Sequence, residues 1–518
     1  MAMDSQFAEA LARLPDYLGS HVLVSLTALA LGLGVSLPLA IYAVERTALR
    51  GILLALASIL QTIPGLALLA LFYPLLLAVS VLTERLFGVG FSALGFLPSV
   101  LALALYSMLP VLRNTVTGLA AIHPSLREAA RGLGASPRRT LLDIDVPLAA
   151  PVIMAGIRTA SVWVIGTATL ATPIGQTSLG NYIFTGLQTQ NWVFVMFGCV
   201  AVALLALAVD QLLALVETGV ARRRRMRVAL GALGLAALTL AALVPGFARP
   251  QAAYVIGAKT FTEQYVLAAL MQQKLADAGL TSRVRSGLGS NVLFDALASG
   301  EVDVAIDYSG TLWTNRMHRS DVPPRNAVLD ELGNWLNANS GISLLGSLGF
   351  ENAYALAMTR AKADALQVHS IADLARVAPQ LTIGGDYEFF ARPEWQHLRE
   401  AYGLQFRAER VMQSAFMYRA VAAADVDVIT AYTSDGQIAQ FDLAVLDDPK
   451  HVIPPYDAVL LLAPRLAHDE RLIAALTPLL GAIPVGAMRA ANAQASSGAS
   501  TQEAARRLLQ SAEQHPPK

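Results

Sequence analysis

Long apolar runs, each of membrane length, fill the chain as far as Ala248; beyond Arg249 short apolar runs alternate with amphipathic ones. A hydrocarbon core needs about 20 apolar residues per helix, and candidate spans fall near 22–44, 52–82, 97–120, 150–172, 193–216 and 228–247. Pro64-Gly65 breaks the second, which reads as one kinked helix or as a helix plus a re-entrant piece. After Tyr254 the period changes. Tyr254-Val255-Ile256-Gly257, an amphipathic stretch from Glu263 to Ala278, and Val302-Asp303-Val304-Ala305-Ile306 follow strand, helix, strand order, which predicts a mainly parallel α/β sheet. About 265 residues suit two such lobes better than one. Ligands of open α/β sheets gather at strand C-terminal ends and between lobes. The expected architecture is an α-helical transmembrane domain of about six spans over 1–248, a linker at 249–253, and a two-lobed α/β clamshell over 254–518. Lobe 1 is expected at about 254–355 and 458–518, and lobe 2 at about 358–455.

Composition supports the membrane class: 55% of the 518 residues are hydrophobic and only 15% charged, too oily for a wholly soluble chain. With 38 basic against 38 acidic residues, nothing in the total points to nucleic acid. Charge placement is more informative. Arg127, Arg131, Arg138 and Arg139 lie between the third and fourth spans, and Arg222 to Arg225 with Arg227 follow the fifth. Both loops are expected to be cytoplasmic. With six spans they fall on one side, and both the acidic N-terminus (Asp4, Glu9 and Asp16 against Arg13) and the residues after Ala248 fall on the other. The layout from Arg222 to Ala248 also fits an internal signal peptide, although its length and position favour an uncleaved span; the C-terminal half is exported either way.

Cys199, the one cysteine, allows neither an internal disulfide nor a cysteine-cluster metal site. The eight histidines have no metal-ligand spacing, and no G-x-S-x-G elbow or G-x-x-x-x-G-K-[ST] phosphate cradle occurs. Gly257-Ala258-Lys259-Thr260 lacks the earlier glycine. The expectation is a non-enzyme with no metal or cofactor of its own. Thr501 to Leu509 reads as a packing helix, with a frayed end from Gln514 to Lys518.

Within the first basic loop stand Glu128-Ala129-Ala130, then Gly134, Ile144 and Val146-Pro147. Pro124-Ser125 can start a short helix, Gly132 and Gly134 let the backbone turn, and Pro147 is expected to stop the element before the next span. This spacing resembles the EAA loop of ABC importer permeases, with Val146 in place of the usual leucine. The resemblance implies that Glu128, Ala129, Ala130, Gly134, Ile144 and Pro147 couple the membrane helices to a cytoplasmic ATPase. ATP and Mg would then be bound by that separate subunit. Importers of this class need two membrane domains, and one set of spans without internal duplication implies a homodimer.

In the exported half, three segments carry a second resemblance: Gly257 to Gln264, Val302 to Thr314, and Asp425 to Tyr432 continuing through Asp435-Gly436. They look like the periplasmic osmoprotectant-binding proteins of ABC importers, whose ligands are glycine betaine, choline and carnitine. The fused arrangement also resembles the ergothioneine importers of this family. By resemblance, an aromatic box for a trimethylammonium head falls on Tyr308, Tyr354, Tyr432 and Tyr456, with carboxylate contacts at Gln264 and Thr311. A quaternary ammonium cannot donate a hydrogen bond, so ring faces must hold it, each worth roughly 0.5–2 kcal/mol. Electron-rich phenols, rather than a formal counter-charge, are the expected cation site. Thr311 suits a zwitterion; as an alternative it is a turn or cap threonine. In Gly384 to Pro393, Phe389 and Arg392 are further candidates, with a solvent-facing loop packed by Phe389 as the other reading; a contact from Arg392 would favour carnitine or ergothioneine.

The expected function is import of such a zwitterion across a bacterial inner membrane, with the binding lobes on the periplasmic side. A clamshell-gated channel or sensor is the rival of another class; a channel would not need a coupling loop, and a sensor would need a cytoplasmic output domain.

Overall fold

The computed structural model describes residues 2–88, 91–189, 191–247, 254–319, 321–497 and 499–514. The predicted linker at 249–253 and the frayed end beyond Gln514 lie outside the described residues. Most of the membrane region and the α/β region form separate compact units.

Among the described residues, six helical stretches are long and apolar enough to cross a bilayer: Gln6–Ala43, Gly65–Phe87, Phe96–Ala120, Pro137–Ile174, Trp192–Ala221 and Arg225–Val244. The second predicted span resolves into two helices, Thr47–Thr62 and Gly65–Phe87, separated by Ile63-Pro64. At 16 residues the first is about 24 Å long, short of a roughly 30 Å hydrocarbon core. The helices Phe96–Ala120 and Val146–Ala168 form the tightest core, with Leu103, Val164 and Ala168 fully buried around Val24 and Ala28.

Pro147 does not stop the basic loop. Helix runs through it, from Pro137–Thr140 through a π-helical turn at Leu141–Asp145 into Val146–Ala168. Pro147 occupies the first turn after that π segment, where the wider i→i+5 spacing already breaks the regular ladder and a missing N–H costs little.

Among the described residues, the α/β region contains two five-stranded sheets. The first comprises β1 (Tyr254–Lys259), β2 (Ser282–Leu288), β3 (Val304–Tyr308), β4 (Ser343–Glu351) and, from the far end of the region, β10 (Asp457–Leu462). The second comprises β5 (Tyr354–Thr359), β6 (Thr382–Gly385), β7 (Ala408–Val411), β8 (Val428–Tyr432) and β9 (Leu443–Val445). Their orders are β2-β1-β3-β10-β4 and β7-β6-β8-β5-β9. The chain therefore passes between sheets twice, from β4 to β5 and from β9 to β10.

The expected mainly parallel pairing is corrected to a mixed one. β1 pairs in parallel with β2 and β3, and β6 with β7 and β8, but β10 is antiparallel to β3 and β4, and β5 to β8 and β9. The antiparallel strands β5 and β10 are the first after each crossing: a chain arriving from the other lobe enters against the grain of the local strand-helix-strand units. C-terminal helices Val485–Ser496 and Thr501–Gln514 pack on Thr262–Asp277 through buried Met488, Ala505 and Leu508.

Candidate functional site

The two crossings place the predicted tyrosines. Tyr308 ends β3 and Tyr432 ends β8; Tyr354 opens β5 and pairs directly across from Tyr432. Tyr456 immediately precedes β10, and its carbonyl accepts the backbone N–H of Asn352 at 2.9 Å, joining one crossing to the other. Tyr308, Tyr354 and Tyr456 are buried and Tyr432 is half-buried.

Their rings converge. Tyr354 lies 5.0 Å from Tyr432 and 5.4 Å from Tyr456 by ring centroids, the latter edge-on. Tyr308 joins through Phe261, which is 5.9 Å from Tyr308 and stacks on Tyr432 at 6.3 Å with its plane within 2°. Phe261 was not anticipated. It immediately precedes the Thr262–Asp277 helix, inside the segment that carried the resemblance, but an aromatic before a helix ordinarily signals only packing. Phe389 is fully buried behind Tyr354 at 5.0 Å and also touches Phe390 and Trp395, which makes it a supporting wall rather than a surface loop residue.

Three phenols are backed by carboxylates, so the expectation of a site without formal counter-charge is corrected. Tyr308 donates to Glu263 at 2.6 Å, Tyr432 to Asp386 at 2.7 Å, and Tyr456 to Glu394. A phenol donating to an anion is a more electron-rich ring, which strengthens its attraction for a cation above its face. Burial raises all four phenols above their ordinary value, so they stay neutral at physiological pH.

Glu263 is the hub of this arrangement. Fully buried, it also accepts from Asn352 at 3.2 Å, Ser434 at 2.5 Å and Asn492 at 2.9 Å, linking both sheets, a crossing and a C-terminal helix. Desolvation raises its carboxyl despite these donors, and raises that of Asp386.

Two protein cations stand over the rings. Lys259 is 5.4 Å from the Tyr308 centroid and pairs with Asp307 at 2.5 Å. Arg392 is 5.1 Å from the Tyr354 centroid, donates to Glu388 at 2.5 Å and lies 3.5 Å from Glu394. Burial opposes the charge of Arg392, but the neighbouring carboxylates of Glu388 and Glu394 help hold it well above its ordinary value. Among the described residues, Nε and Nη1 of Arg392 and Oε2 of Glu394 have no hydrogen-bond partner. Unsatisfied buried groups cost about 1–3 kcal/mol each, more when charged, so Arg392 is poised to receive an acceptor beside the rings.

Gln264 is placed differently from its expected role. Its amide donates to the Ile306 carbonyl at 3.1 Å and to the Tyr308 hydroxyl at 3.0 Å, and accepts the Lys259 N–H at 3.2 Å. It orients Tyr308, with its amide already committed. Thr311 is buried on the Ser309–Asn315 helix. That helix abuts the cluster because Gly310 has no side chain: a Cβ there would meet the Tyr456 ring at 2.6 Å. Ser309 fixes it further, donating to the Pro455 carbonyl and accepting from the Asp457 N–H.

In the membrane region, the basic loop forms a helix at Pro124–Gly132, capped by His123. Glu128 and Ala129 are exposed, Ala130 is buried, Ile144 is half-buried, Pro147 is exposed, and Gly134 takes a left-handed φ of 80° that favours glycine. Arg127 braces the helix through Asp145 at 3.0 Å and the Leu119 carbonyl at 3.1 Å. Leu126, Leu133 and Leu142 are exposed as well, Leu133 at 90%.

Comparison with known proteins agrees with this division. The family described as the substrate binding domain of ABC-type glycine betaine transport system matches residues 252–511, and the binding-protein-dependent transport system inner membrane component matches 32–225. The chain is 27% identical over 438 residues to the ergothioneine transport permease/ergothioneine binding protein EgtU of Helicobacter pylori (strain G27), covering 82% of this chain and 76% of the relative. It is 40% identical over 197 residues to the choline transport system permease protein OpuBB of Bacillus subtilis (strain 168), covering 38% of this chain and 83% of the relative. A glycine-betaine-binding protein of Pseudomonas aeruginosa (strain PAO1) is 31% identical over 252 residues, covering 46% of this chain and 81% of the relative. Both parts are transporter components, one a multi-pass membrane domain and the other a solute-binding domain: the chain belongs to the ABC-type glycine betaine transport family, with its binding domain fused to the inner membrane component.

Proposed function

We propose that this chain captures a trimethylammonium solute, either a zwitterion such as glycine betaine or carnitine or the cation choline, and translocates it across the inner membrane. The observation that carries the reading is the convergence of Phe261, Tyr308, Tyr354, Tyr432 and Tyr456 where the chain crosses between its two sheets. Rings backed by Glu263, Asp386 and Glu394 take the cationic head; Arg392, with Thr311, receives the carboxylate. A ring face is worth roughly 0.5–2 kcal/mol, so several around one cation can supply micromolar affinity. Ordering of residues from both sheets around the solute then provides the closed form that docks on the membrane domain.

The binding lobes face the periplasm and the basic loops the cytoplasm, as the arginine placement favours. Glu128 to Pro147 seats in a separate ATPase subunit, which binds ATP and Mg, and two copies of this chain pair through their membrane helices. Ergothioneine is the second reading. It is favoured by the fused Helicobacter pylori relative, an ergothioneine transport permease/ergothioneine binding protein, and by a buried guanidinium suited to a larger zwitterion. Calorimetric titration of the full chain in detergent with glycine betaine, carnitine, choline and ergothioneine tests the ligand class: at least one gives micromolar binding, and heat from none of them refutes it. Co-purification of an ATPase separates the importer from a clamshell-gated channel, which conducts without one.

A further inference from the structure

Far along the sequence from the aromatic cluster, the membrane helices hold a second group of charges. Arg158, near the middle of Val146–Ala168, donates through Nε and Nη2 to both oxygens of Asp210 at 2.8 and 2.9 Å, and through Nη1 to Glu217 at 2.7 Å. Both acids lie on Trp192–Ala221. One guanidinium against two carboxylates leaves a surplus negative charge in a span, where charges are costly and ordinarily face a bundle interior or a water-filled cavity. A shallow, open cavity of about 420 Å³ lies there, lined by Ala155, Arg158, Thr159, Val162, Trp163 and Asp210. That is within the roughly 300–1,000 Å³ of small-molecule sites.

The face around this cavity differs from a lipid-facing one. From Ala155 onward the open positions on Val146–Ala168 are Ala155, Thr159, Val162, Trp163 and Gly166, whereas Pro147 and Leu148 are open nearer its start. Open positions on Trp192–Ala221 include Met196, Val200, Leu204 and Leu207, the bulky apolar type. Trp163 is 49% exposed and presents an indole, the strongest aromatic partner for a cation, in the same cavity lining as Asp210.

We propose that this cavity is a substrate subsite on the translocation path, taking the trimethylammonium group against Trp163 and Asp210 and the carboxylate against Arg158. A zwitterion enters by exchanging ion-pair partners: Arg158 and Asp210 separate, each end of the solute replaces one of them, and the net charge of the span is unchanged. The inference rests on the trimethylammonium reading above and extends it from capture to passage.

The test uses the full chain with its co-purifying ATPase in proteoliposomes, carrying Trp163→Ala, Trp163→Phe or Asp210→Asn, with uptake of radiolabelled glycine betaine and ergothioneine measured beside equilibrium binding to the same chains. Trp163 takes no part in the Arg158 ion pairs, so its variants leave the helix-to-helix staple in place. Trp163→Ala and Asp210→Asn should each lower uptake at least fivefold and Trp163→Phe less than twofold, while dissociation constants stay within twofold of wild type. Wild-type uptake by Trp163→Ala, or equal losses in its Ala and Phe variants, overturns the subsite. Failure of the wild-type chain to bind either solute overturns the trimethylammonium reading itself and this extension with it.

Discussion

Tyr354 is the ring through which the cluster is connected, and replacing it with leucine separates aromatic recognition from simple bulk. Its centroid lies 5.0 Å from both Phe389 and Tyr432 and 5.4 Å from Tyr456, with Arg392 5.1 Å above its face. Leucine fills much of the volume but has no π face. Each aromatic pair contributes about 0.5–1.5 kcal/mol beyond buried area. Three lost pairs, partly offset by the leucine's own contacts, should destabilise the binding domain by about 1–3 kcal/mol. Losing one face toward a cation costs about 1–2 kcal/mol, a weakening of roughly 5- to 30-fold. Tyr354→Phe keeps the ring and should change affinity less than threefold. Calorimetry of the full chain with glycine betaine reads both, and a thermal melt with and without ligand checks that each variant is folded. Binding by Tyr354→Leu within twofold of wild type, or equal weakening in the Leu and Phe variants, would refute the reasoning.

Tyr308→Ala or Tyr432→Ala should weaken binding at least tenfold, because each removes a ring and takes one donor from Glu263 or Asp386; near-wild-type affinity in both, by the same titration, would count against the cage. Substituting Glu128 by Ala, or Gly134 at its φ of 80°, should leave solute binding intact and reduce ATP-driven uptake severalfold; unchanged uptake would remove the coupling role. Asp435 is pushed up to about 7 by burial, with Tyr418 donating to it and Glu263 nearby. The folded chain therefore takes up this proton before the unfolded chain does, and stability should rise as pH falls from about 7 toward the ordinary value of 3.8. Melts at pH 8 and pH 5 compare the chain with Asp435→Asn, which should show a shallower dependence; identical slopes would contradict the assignment.

Much of the strand layout was legible because alternation and breaker residues are local signals. The stretch expected from Val302 is observed as β3 from Val304 to Tyr308, and the helix expected from Glu263 to Ala278 as Thr262–Asp277. Tyr308 and Tyr432 end β3 and β8 accordingly. Strand direction was not legible, since a hydrophobic run reads the same either way along a sheet; hence the antiparallel entries of β5 and β10. The break at Pro64 was visible, but proline can kink a helix or end one, and only packing decides. The carboxylates behind the phenols were hidden for another reason. Glu263, Asp386 and Glu394 are 45, 46 and 62 residues from their tyrosines, and no spacing rule links groups brought together by the crossings. Gln264 shows the converse: the resemblance gave it a carboxylate contact, whereas its amide is engaged with Ile306, Tyr308 and Lys259.

The central claim is that electron-rich rings bind a permanent positive charge, and one titration addresses it directly. Glycine betaine and its uncharged-head isostere 3,3-dimethylbutanoate share shape and carboxylate and differ in whether nitrogen or carbon carries the methyl groups. The account predicts that the full chain binds glycine betaine at least tenfold more tightly than the isostere. Equal affinities would show that apolar contact and the carboxylate suffice, and would contradict it.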